Sequence, residues 1–250
     1  MWGRRLSAVA TAGALAAPLA GCVPGSGSAA PTKAAEATAY ASEAQLPEKL
    51  ASDGTTITVG DPAARTTVRV YEDPRCPVVE EFELSGGASV LRAKTISRQV
   101  KTEYTFASFR DESLGGDGSK RAVNALRAAL DAGRFTEYHA LLIRNRTSAE
   151  LSGGYTTGQL LKLAAKVPGL RGKEFDHAVT TMKYRSFVTA SQAAYDAADG
   201  PESFGPGTPT VVINDKRVPE AANGLLFDKS LFDGMLTGIH TYPEKWKPVS

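Results

Sequence analysis

Hydrophobic and polar residues alternate along several short stretches of this chain. From Thr66 to Glu72, Val68 and Val70 alternate with polar or aromatic neighbours, and this period of two predicts a β-strand. A similar alternation predicts a second strand from Lys101 to Phe106. Short apolar runs beside turns predict further strands at residues 56–59 and 210–213, with a turn at 214–217 leading to Val218.

Apolar residues recur at helical spacing between these stretches. Val123, Leu126 and Leu130, for example, form one stripe that ends before Gly133. The strands fall into two groups on either side of a helical block, an order typical of a single α/β sheet with a helical insertion. The predicted helices span residues 77–84, 88–98, 119–132, 135–142, 160–167, 175–182, 184–198 and 225–236, with Asp228 as the candidate N-cap of the last.

The first 21 residues have the pattern of a secretory signal peptide. Arg4 and Arg5 form a positively charged start, residues 6–19 are apolar or small, and the segment runs into Leu19-Ala20-Gly21-Cys22. This ending resembles the lipobox of bacterial lipoproteins. The resemblance implies cleavage before Cys22 and a diacylglycerol on its sulfur, with acyl chains such as palmitate. The protein would then be anchored by lipid on the extracytoplasmic face of the cell membrane.

Two alternatives to a lipoprotein signal remain for this segment. One is an ordinary secretory peptide in which Cys22 is incidental. The other is a membrane-spanning helix, which is disfavoured because about 14 apolar residues fall short of the roughly 20 that cross a bilayer.

Residues 22–54 are predicted to comprise the lipidated Cys22 followed by a flexible linker. Residues 23–32 are mostly glycine, serine, alanine and proline, which cannot bury enough apolar surface to offset the entropy of ordering. Residues 34–50 are expected to form at most a frayed helix. The globular domain is therefore predicted at residues 55–250, with its helical insertion at about 112–200.

Charges are nearly balanced along the mature chain. The whole sequence has a formal net charge of +2, and loss of Arg4 and Arg5 with the signal peptide leaves a net side-chain charge of about zero. This balance does not indicate a basic surface, and we predict no nucleic-acid partner.

The candidate chemistry lies where the strand ending at Glu72 runs into the helix beginning at Pro77. Cys76 stands at this junction, and Pro77 suits the first helical turn because that turn needs no proline N–H. A sulfur there faces free N–H groups and the positive end of the helix dipole, which favour the thiolate that attacks disulfides. In a C-x-x-C motif the second sulfur would stand at Val79. The sequence has two cysteines, so lipidation of Cys22 would leave Cys76 as a single thiol.

Several motifs together resemble the DsbA-like branch of the thioredoxin superfamily. They cover roughly residues 55–240 and follow one another in the order found in the family. The motifs are Gly60-Asp61-Pro62, Tyr71-Glu72-Asp73, Cys76-Pro77, Gly133-Arg134-Phe135-Thr136-Glu137-Tyr138-His139 and Gly207-Thr208-Pro209-Thr210.

This resemblance implies a thioredoxin-like fold in which a helical subdomain interrupts the α/β core and the thiol lies opposite a cis-proline. Thr208-Pro209 takes the cis-proline position, although spacing alone would indicate only a turn. By the resemblance, Thr208 pairs through its backbone with an extended substrate, and Pro209 forms a wall of that site. Pro77 and Val78 occupy the dipeptide that tunes redox potential in family members.

Two functions remain open on the sequence. In the first, the protein carries out monothiol disulfide exchange, with Cys76 as nucleophile and an external thiol that resolves the mixed disulfide. Its partners would be secreted proteins that bear thiols or disulfides, or a small thiol. In the second, the chain is a non-catalytic binding lipoprotein that holds extended polypeptides or an envelope partner beside Pro209.

The remaining polar residues are predicted to have structural roles, and we predict neither a cofactor nor a metal site. Glu72 and Asp73 are interpreted as solvated loop carboxylates, and residues 115–120 as a flexible connection. An aromatic tail that includes Trp246 is expected to lie on the folded body. One histidine is expected to pack beside Phe135 in the helical block. This is His139, which shares a face with Phe135. The three histidines are scattered at spacings that fit no zinc site: His139, His177 and His240.

Overall fold

The computed structural model describes residues 38–199 and 204–247. The signal peptide, Cys22 and the first part of the predicted linker lie outside the described residues. Within the described ranges, no helix is both long enough and apolar enough to span a membrane.

Six strands form one mixed sheet: β1 (Glu48–Leu50), β2 (Thr56–Val59), β3 (Thr66–Glu72), β4 (Val100–Phe106), β5 (Thr210–Ile213) and β6 (Lys216–Arg217). Their order across the sheet is β1-β2-β4-β3-β5-β6. The central strands β3 and β4 are parallel, and the other neighbouring pairs are antiparallel.

The described residues also form ten α-helices: α1 (Pro77–Leu84), α2 (Ala88–Ile96), α3 (Arg110–Leu114), α4 (Gly118–Asp131), α5 (Phe135–Arg144), α6 (Arg146–Glu150), α7 (Thr157–Ala164), α8 (Lys173–Thr181), α9 (Arg185–Asp196) and α10 (Lys229–Thr241). Short 3-10 turns lie at Glu43–Gln45, Ala197–Asp199, Glu220–Leu226 and Pro243–Lys245. Helices α1 and α2 supply the crossover that the parallel strands β3 and β4 require. Helices α3 to α9 form the predicted insertion between β4 and β5.

One apolar core joins the sheet to the insertion. Val68 and Val70 of β3 are completely buried, while the residues that alternate with them are partly exposed. On the insertion side, Val123 and Leu126 of α4 are equally buried and belong to the same cluster. Burying each such side chain contributes about 1.5–3 kcal/mol. The shared core fixes the insertion against the strand ends that carry the candidate site.

The folded body begins earlier than predicted, so the assignment of a flexible linker up to residue 54 is wrong for its last part. Strand β1 pairs with β2, and Leu46 is buried just before it. The Glu48 carboxylate accepts hydrogen bonds from the backbone N–H groups of Phe135 (2.9 Å) and Thr136 (2.7 Å), at the start of α5. Sequence periodicity missed this edge strand because three mostly polar residues carry no apolar alternation.

Several helix boundaries also differ from the sequence prediction. The last helix starts at Lys229 rather than at residue 225, and Asp228 caps it by accepting from the N–H groups of Ser230 and Leu231. The predicted flexible connection at 115–120 already contains the first turn of α4. The C-terminal tail lies on the body as predicted, because the Trp246 indole N–H donates to the carbonyl of Ile213 at 2.8 Å.

Candidate functional site

Cys76 is the N-cap residue of α1, as the sequence predicted. Its backbone is extended, with φ −74° and ψ 124°, and Pro77 occupies the first turn. The Cys76 N–H donates to the carbonyl of Asp73 at 2.9 Å, which closes the turn between β3 and the helix. The first N–H groups of a helix have no partner within the helix. This turn therefore places the sulfur beside the positive end of α1.

The sulfur faces the loop that precedes β5. The Thr208-Pro209 peptide bond is cis, which confirms the prediction made from the family resemblance. The Sγ of Cys76 donates a hydrogen bond to the Thr208 carbonyl oxygen at 3.3 Å. Cys76 is only 6% exposed, whereas Val78 is 42% exposed beside it. The thiol therefore lies in a narrow gap between the start of α1 and the cis-proline loop.

Val79 fills the position that a second sulfur would take in a C-x-x-C motif. It is completely buried and packs with Cys76 and Ile143 in a small cluster apart from the main core. Cys76 is a free cysteine and is the single cysteine among the residues that the structure describes. The described site thus presents one thiol backed by hydrocarbon.

Arg75 ties the site to the helical insertion, and sequence reasoning missed it. Its guanidinium binds both carboxylate oxygens of Glu150 at 2.8 Å, the Asp111 carboxylate at 2.8 Å and the Gly115 carbonyl at 2.9 Å. The carbonyl of Arg75 in turn accepts from Arg146 Nε at 2.9 Å. Because Arg75 directly precedes Cys76, these bonds fix the backbone that carries the thiol.

The fold and this site agree with known proteins. A family model described as thioredoxin matches residues 52–228. The chain belongs to the thioredoxin family. No match was found among curated proteins.

Solved structures show that this thioredoxin-family chain has the fold of DsbA-like members. MdbA of Actinomyces oris, described as a thiol-disulfide oxidoreductase, matches with a TM-score of 0.61 and 19% identity over 79% of this chain and 95% of that one. BdbD of Bacillus subtilis in its oxidised form matches with 0.60 and 18% identity, over 82% and 100% of the two chains. DsbA of Chlamydia trachomatis matches with a TM-score of 0.57 and 18% identity, over 77% of this chain and 93% of that one.

Asp73 is buried within this thioredoxin-family site, so its interpretation as a solvated loop carboxylate is wrong. It accepts hydrogen bonds from the Ser119 hydroxyl at 2.6 Å and from the N–H groups of Arg110 and Arg75, both at 2.9 Å. Burial raises the pKa of Asp73 to about 6, and these hydrogen bonds oppose the rise. The Asp73 carboxyl group therefore links the turn that carries Cys76 to the first residues of α3 and α4.

Glu72 is buried as well, which corrects the second carboxylate interpretation. Its Oε2 lies 2.7 Å from Nε2 of His139, and neither side chain has meaningful exposure. The His139 ring also stacks on Phe135, with centroids 5.5 Å apart, as the sequence predicted. Glu72 shares the inward face of β3 with Val68 and Val70. The period of two along this strand could therefore have predicted its burial.

Glu83 of α1 completes this buried group. Its carboxylate binds Arg92 at 2.7 Å, and burial together with the Glu72 charge raises the pKa of Glu83 to about 7. Burial alone would lower the pKa of His139, but the Glu72 carboxylate offsets it and raises that pKa. Ligand atoms of Glu72, Glu83 and His139 lie within 4.8 Å of one another. Arg92 binds one carboxylate oxygen of Glu83, and the Glu72–His139 contact uses Oε2 of Glu72 and Nε2 of His139, whereas Oε1 of Glu72 is buried without a hydrogen-bond partner.

Proposed function

We propose that this chain is a monothiol disulfide-exchange protein in which Cys76 is the nucleophile. The observation that carries the proposal is the position of its Sγ at the N-terminus of α1, 3.3 Å from the carbonyl of Thr208 in the cis-proline loop. Two solved structures of the same fold, from Actinomyces oris and Corynebacterium matruchotii, are described as thiol-disulfide oxidoreductases. This description supports the same class of chemistry here.

The exchange takes two balanced steps. The Cys76 thiolate attacks one sulfur of a substrate disulfide, an S–S bond to Cys76 forms, and the other substrate sulfur leaves as a thiolate. An external thiolate then attacks the mixed disulfide and releases Cys76, so that electrons are only redistributed among sulfurs. Val79 cannot supply the second thiolate, and the resolving sulfur therefore comes from a small thiol or from a secreted protein.

The cis-proline loop prepares the site for an extended polypeptide. In the thiol form, the Cys76 S–H donates a hydrogen bond to the Thr208 carbonyl oxygen. Because a carbonyl oxygen has two lone pairs, the Thr208 carbonyl can also accept from an N–H of the substrate backbone beside the sulfur. Pro209 then forms the wall of the site, and Pro77 and Val78 form the opposite rim.

We further propose that the protein acts at the membrane through lipid on Cys22. The motif Leu19-Ala20-Gly21-Cys22 supports lipidation, and folded structure is already present by Tyr40, whose N–H donates to the carbonyl of Ile96 at 3.0 Å. A short tether between these points would hold the site outside the cytoplasm, close to the membrane surface. A Cys22→Ser chain expressed in a bacterial host should leave the membrane fraction and lose its acyl mass. Persistence in that fraction would contradict lipid anchoring.

The exchange itself can be tested on the full chain carrying Cys22→Ser, in which Cys76 is the sole thiol. We expect a cysteine peptide disulfide-linked to glutathione to form an adduct at Cys76 that intact-mass spectrometry detects. Reduced glutathione should then release the adduct. The matched control, Cys76→Ser in the same chain, should form none. Failure of the Cys76 chain to react while its fold is intact would contradict exchange and leave the role of a non-catalytic binding protein.

A further inference from the structure

A tyrosine of the helical insertion holds the loop that faces Cys76. The backbone N–H of Gly207 donates to the phenol oxygen of Tyr195 at 3.0 Å. Gly207 directly precedes the cis Thr208-Pro209 unit, and Tyr195 lies near the C-terminal end of α9. The insertion therefore binds the cis-proline loop by a hydrogen bond to this hydroxyl group.

The Tyr195 side chain is fixed from several sides. It is 1% exposed, and its ring stacks on Phe109 with centroids 5.5 Å apart and an interplanar angle of 14°. Tyr71 of β3 packs against it at 6.3 Å and 60°. Gly205 has a φ of +89°, and a Cβ at this position would lie 2.1 Å from the Tyr195 ring. Only glycine lets the loop pass so close across the ring, so the phenol oxygen is held in one place.

Two further side chains bind the other end of the same peptide group. The carbonyl of Pro206 accepts from the Thr210 hydroxyl at 3.0 Å and from the Arg217 guanidinium at 2.7 Å. Tyr195 therefore holds the N–H end of this peptide group, and Thr210 and Arg217 hold its carbonyl end. Gly207 is exposed and has a φ of +85°, so its N–H is open to water when the hydroxyl is absent, even though the two bonds to the Pro206 carbonyl remain.

We propose that Tyr195 is a positioning residue for disulfide exchange with extended polypeptides. By holding the Gly207 peptide, its hydroxyl orients the backbone of Thr208 toward a substrate strand that lies opposite Cys76. Tyr195 acts on the loop through the Gly207 N–H, and not through a hydrogen bond to the sulfur. This inference rests on the proposed exchange function and adds a substrate class, because a small disulfide that makes no backbone pairing does not need the oriented loop.

Two substrates with the same leaving group separate these cases. The first is an extended peptide whose cysteine is disulfide-linked to thionitrobenzoate, and the second is dithiobis-nitrobenzoate, which offers no backbone. Both report attack by Cys76 through release of the coloured thionitrobenzoate. In the full chain carrying Cys22→Ser, Tyr195→Phe should slow the peptide reaction roughly fivefold, the effect of about one lost hydrogen bond. The reaction with dithiobis-nitrobenzoate should change less than about twofold, within the effect of a lost contact that does not touch the sulfur.

Tyr155→Phe is the matched control. Tyr155 is also a buried tyrosine of the insertion, and its hydroxyl donates to the Leu142 carbonyl at 2.7 Å, away from the loop. It should leave the ratio of the two rates unchanged at equal thermal stability. If Tyr195→Phe leaves the ratio of the peptide rate to the dithiobis-nitrobenzoate rate unchanged, whether both rates stay the same or fall equally, the positioning role is overturned.

A second measurement keeps this inference separate from the proposed function. If the wild-type sulfur reacts with neither disulfide, exchange fails as a function, and the contact is then judged by amide hydrogen exchange. The Gly207 amide should exchange several-fold faster in Tyr195→Phe than in the parent chain or in Tyr155→Phe. Equal exchange in all three would refute the claim that Tyr195 orients this loop.

Discussion

The sulfur of Cys76 lies 3.3 Å from the carbonyl oxygen of Thr208, a residue 132 positions further along the chain. The contact joins the start of α1 to the turn before β5, two points that the sheet brings together because β3 and β5 are neighbours. With Cys76 only 6% exposed, a disulfide in the proposed exchange would have to reach the sulfur through the gap between these two segments.

Restoring a second sulfur should convert this site into a dithiol. In Val79→Cys, the new side chain stands at the third position of α1, which is the position that an N-cap side chain reaches. We expect residues 76 and 79 to form an internal disulfide, visible as the loss of two free thiols. Peptide adducts at Cys76 should then resolve without added glutathione. The smaller side chain should cost only about 1 kcal/mol of stability.

Val78→Cys is the control for this prediction. Residue 78 is exposed, and side chains two positions apart on a helix do not face each other. Its thiol should remain free under the same oxidation, and adducts at Cys76 should still need an external thiol. Equal behaviour of the two variants would mean that residue 79 does not lie where a resolving sulfur acts.

Arg75 should contribute far more to stability than the exposed arginines do. Arg75→Met removes the cation from Asp111, which is 2% exposed, and from Glu150, which is 19% exposed, and leaves both carboxylates uncompensated. We expect a loss of about 3–5 kcal/mol in chemical denaturation. Arg171→Met, which breaks the exposed pair with Asp176, should cost less than about 1 kcal/mol. Similar losses for both would show that the buried contacts do not anchor the site.

The local features of the site could be predicted from the sequence. Helix α1 begins at Pro77 and ends at Leu84, as its pattern indicated, because a proline at the start and an apolar face are signals carried within a few residues. Resemblance to the family placed Pro209 in a cis bond opposite the sulfur, which spacing alone did not indicate.

The partners of the buried charges could not be predicted in the same way. Glu72 and His139 are 67 positions apart, and no local pattern pairs them. Charged residues are mostly exposed in proteins, so a carboxylate beside a loop is reasonably assigned to solvent. Here burial follows from the insertion, which covers the end of β3 and supplies the partners. The position of that insertion is a property of the whole fold.

Glu48 should stabilise the insertion from outside it. In Glu48→Ala, the N–H groups of Phe135 and Thr136 at the start of α5 lose their acceptor. Loss of a helix cap costs about 0.5–2 kcal/mol, and we expect the free energy of unfolding to fall by that amount in urea. Lys49→Ala, which changes an exposed residue of the same strand, should have little effect. Equal stability of both variants would mean that Glu48 does not stabilise the insertion and that residues 48–50 act as part of the linker.

Glu83 should make the protein less stable as the pH rises toward neutrality. Burial raises its pKa from 4.5 to about 7, so the folded state keeps a proton that the unfolded state has already lost, and this contribution disappears as pH rises from about 4.5 through about 7. The raised pKa of His139 acts in the same direction from about pH 6.5 upward. Urea titrations across this range should therefore show that the free energy of unfolding depends less on pH in Glu83→Gln than in wild type. The control Glu81→Gln, at an exposed position of the same helix, should keep the wild-type pH dependence. A wild-type slope in Glu83→Gln would mean that Glu83 stays ionised, with Arg92 as its permanent counterion.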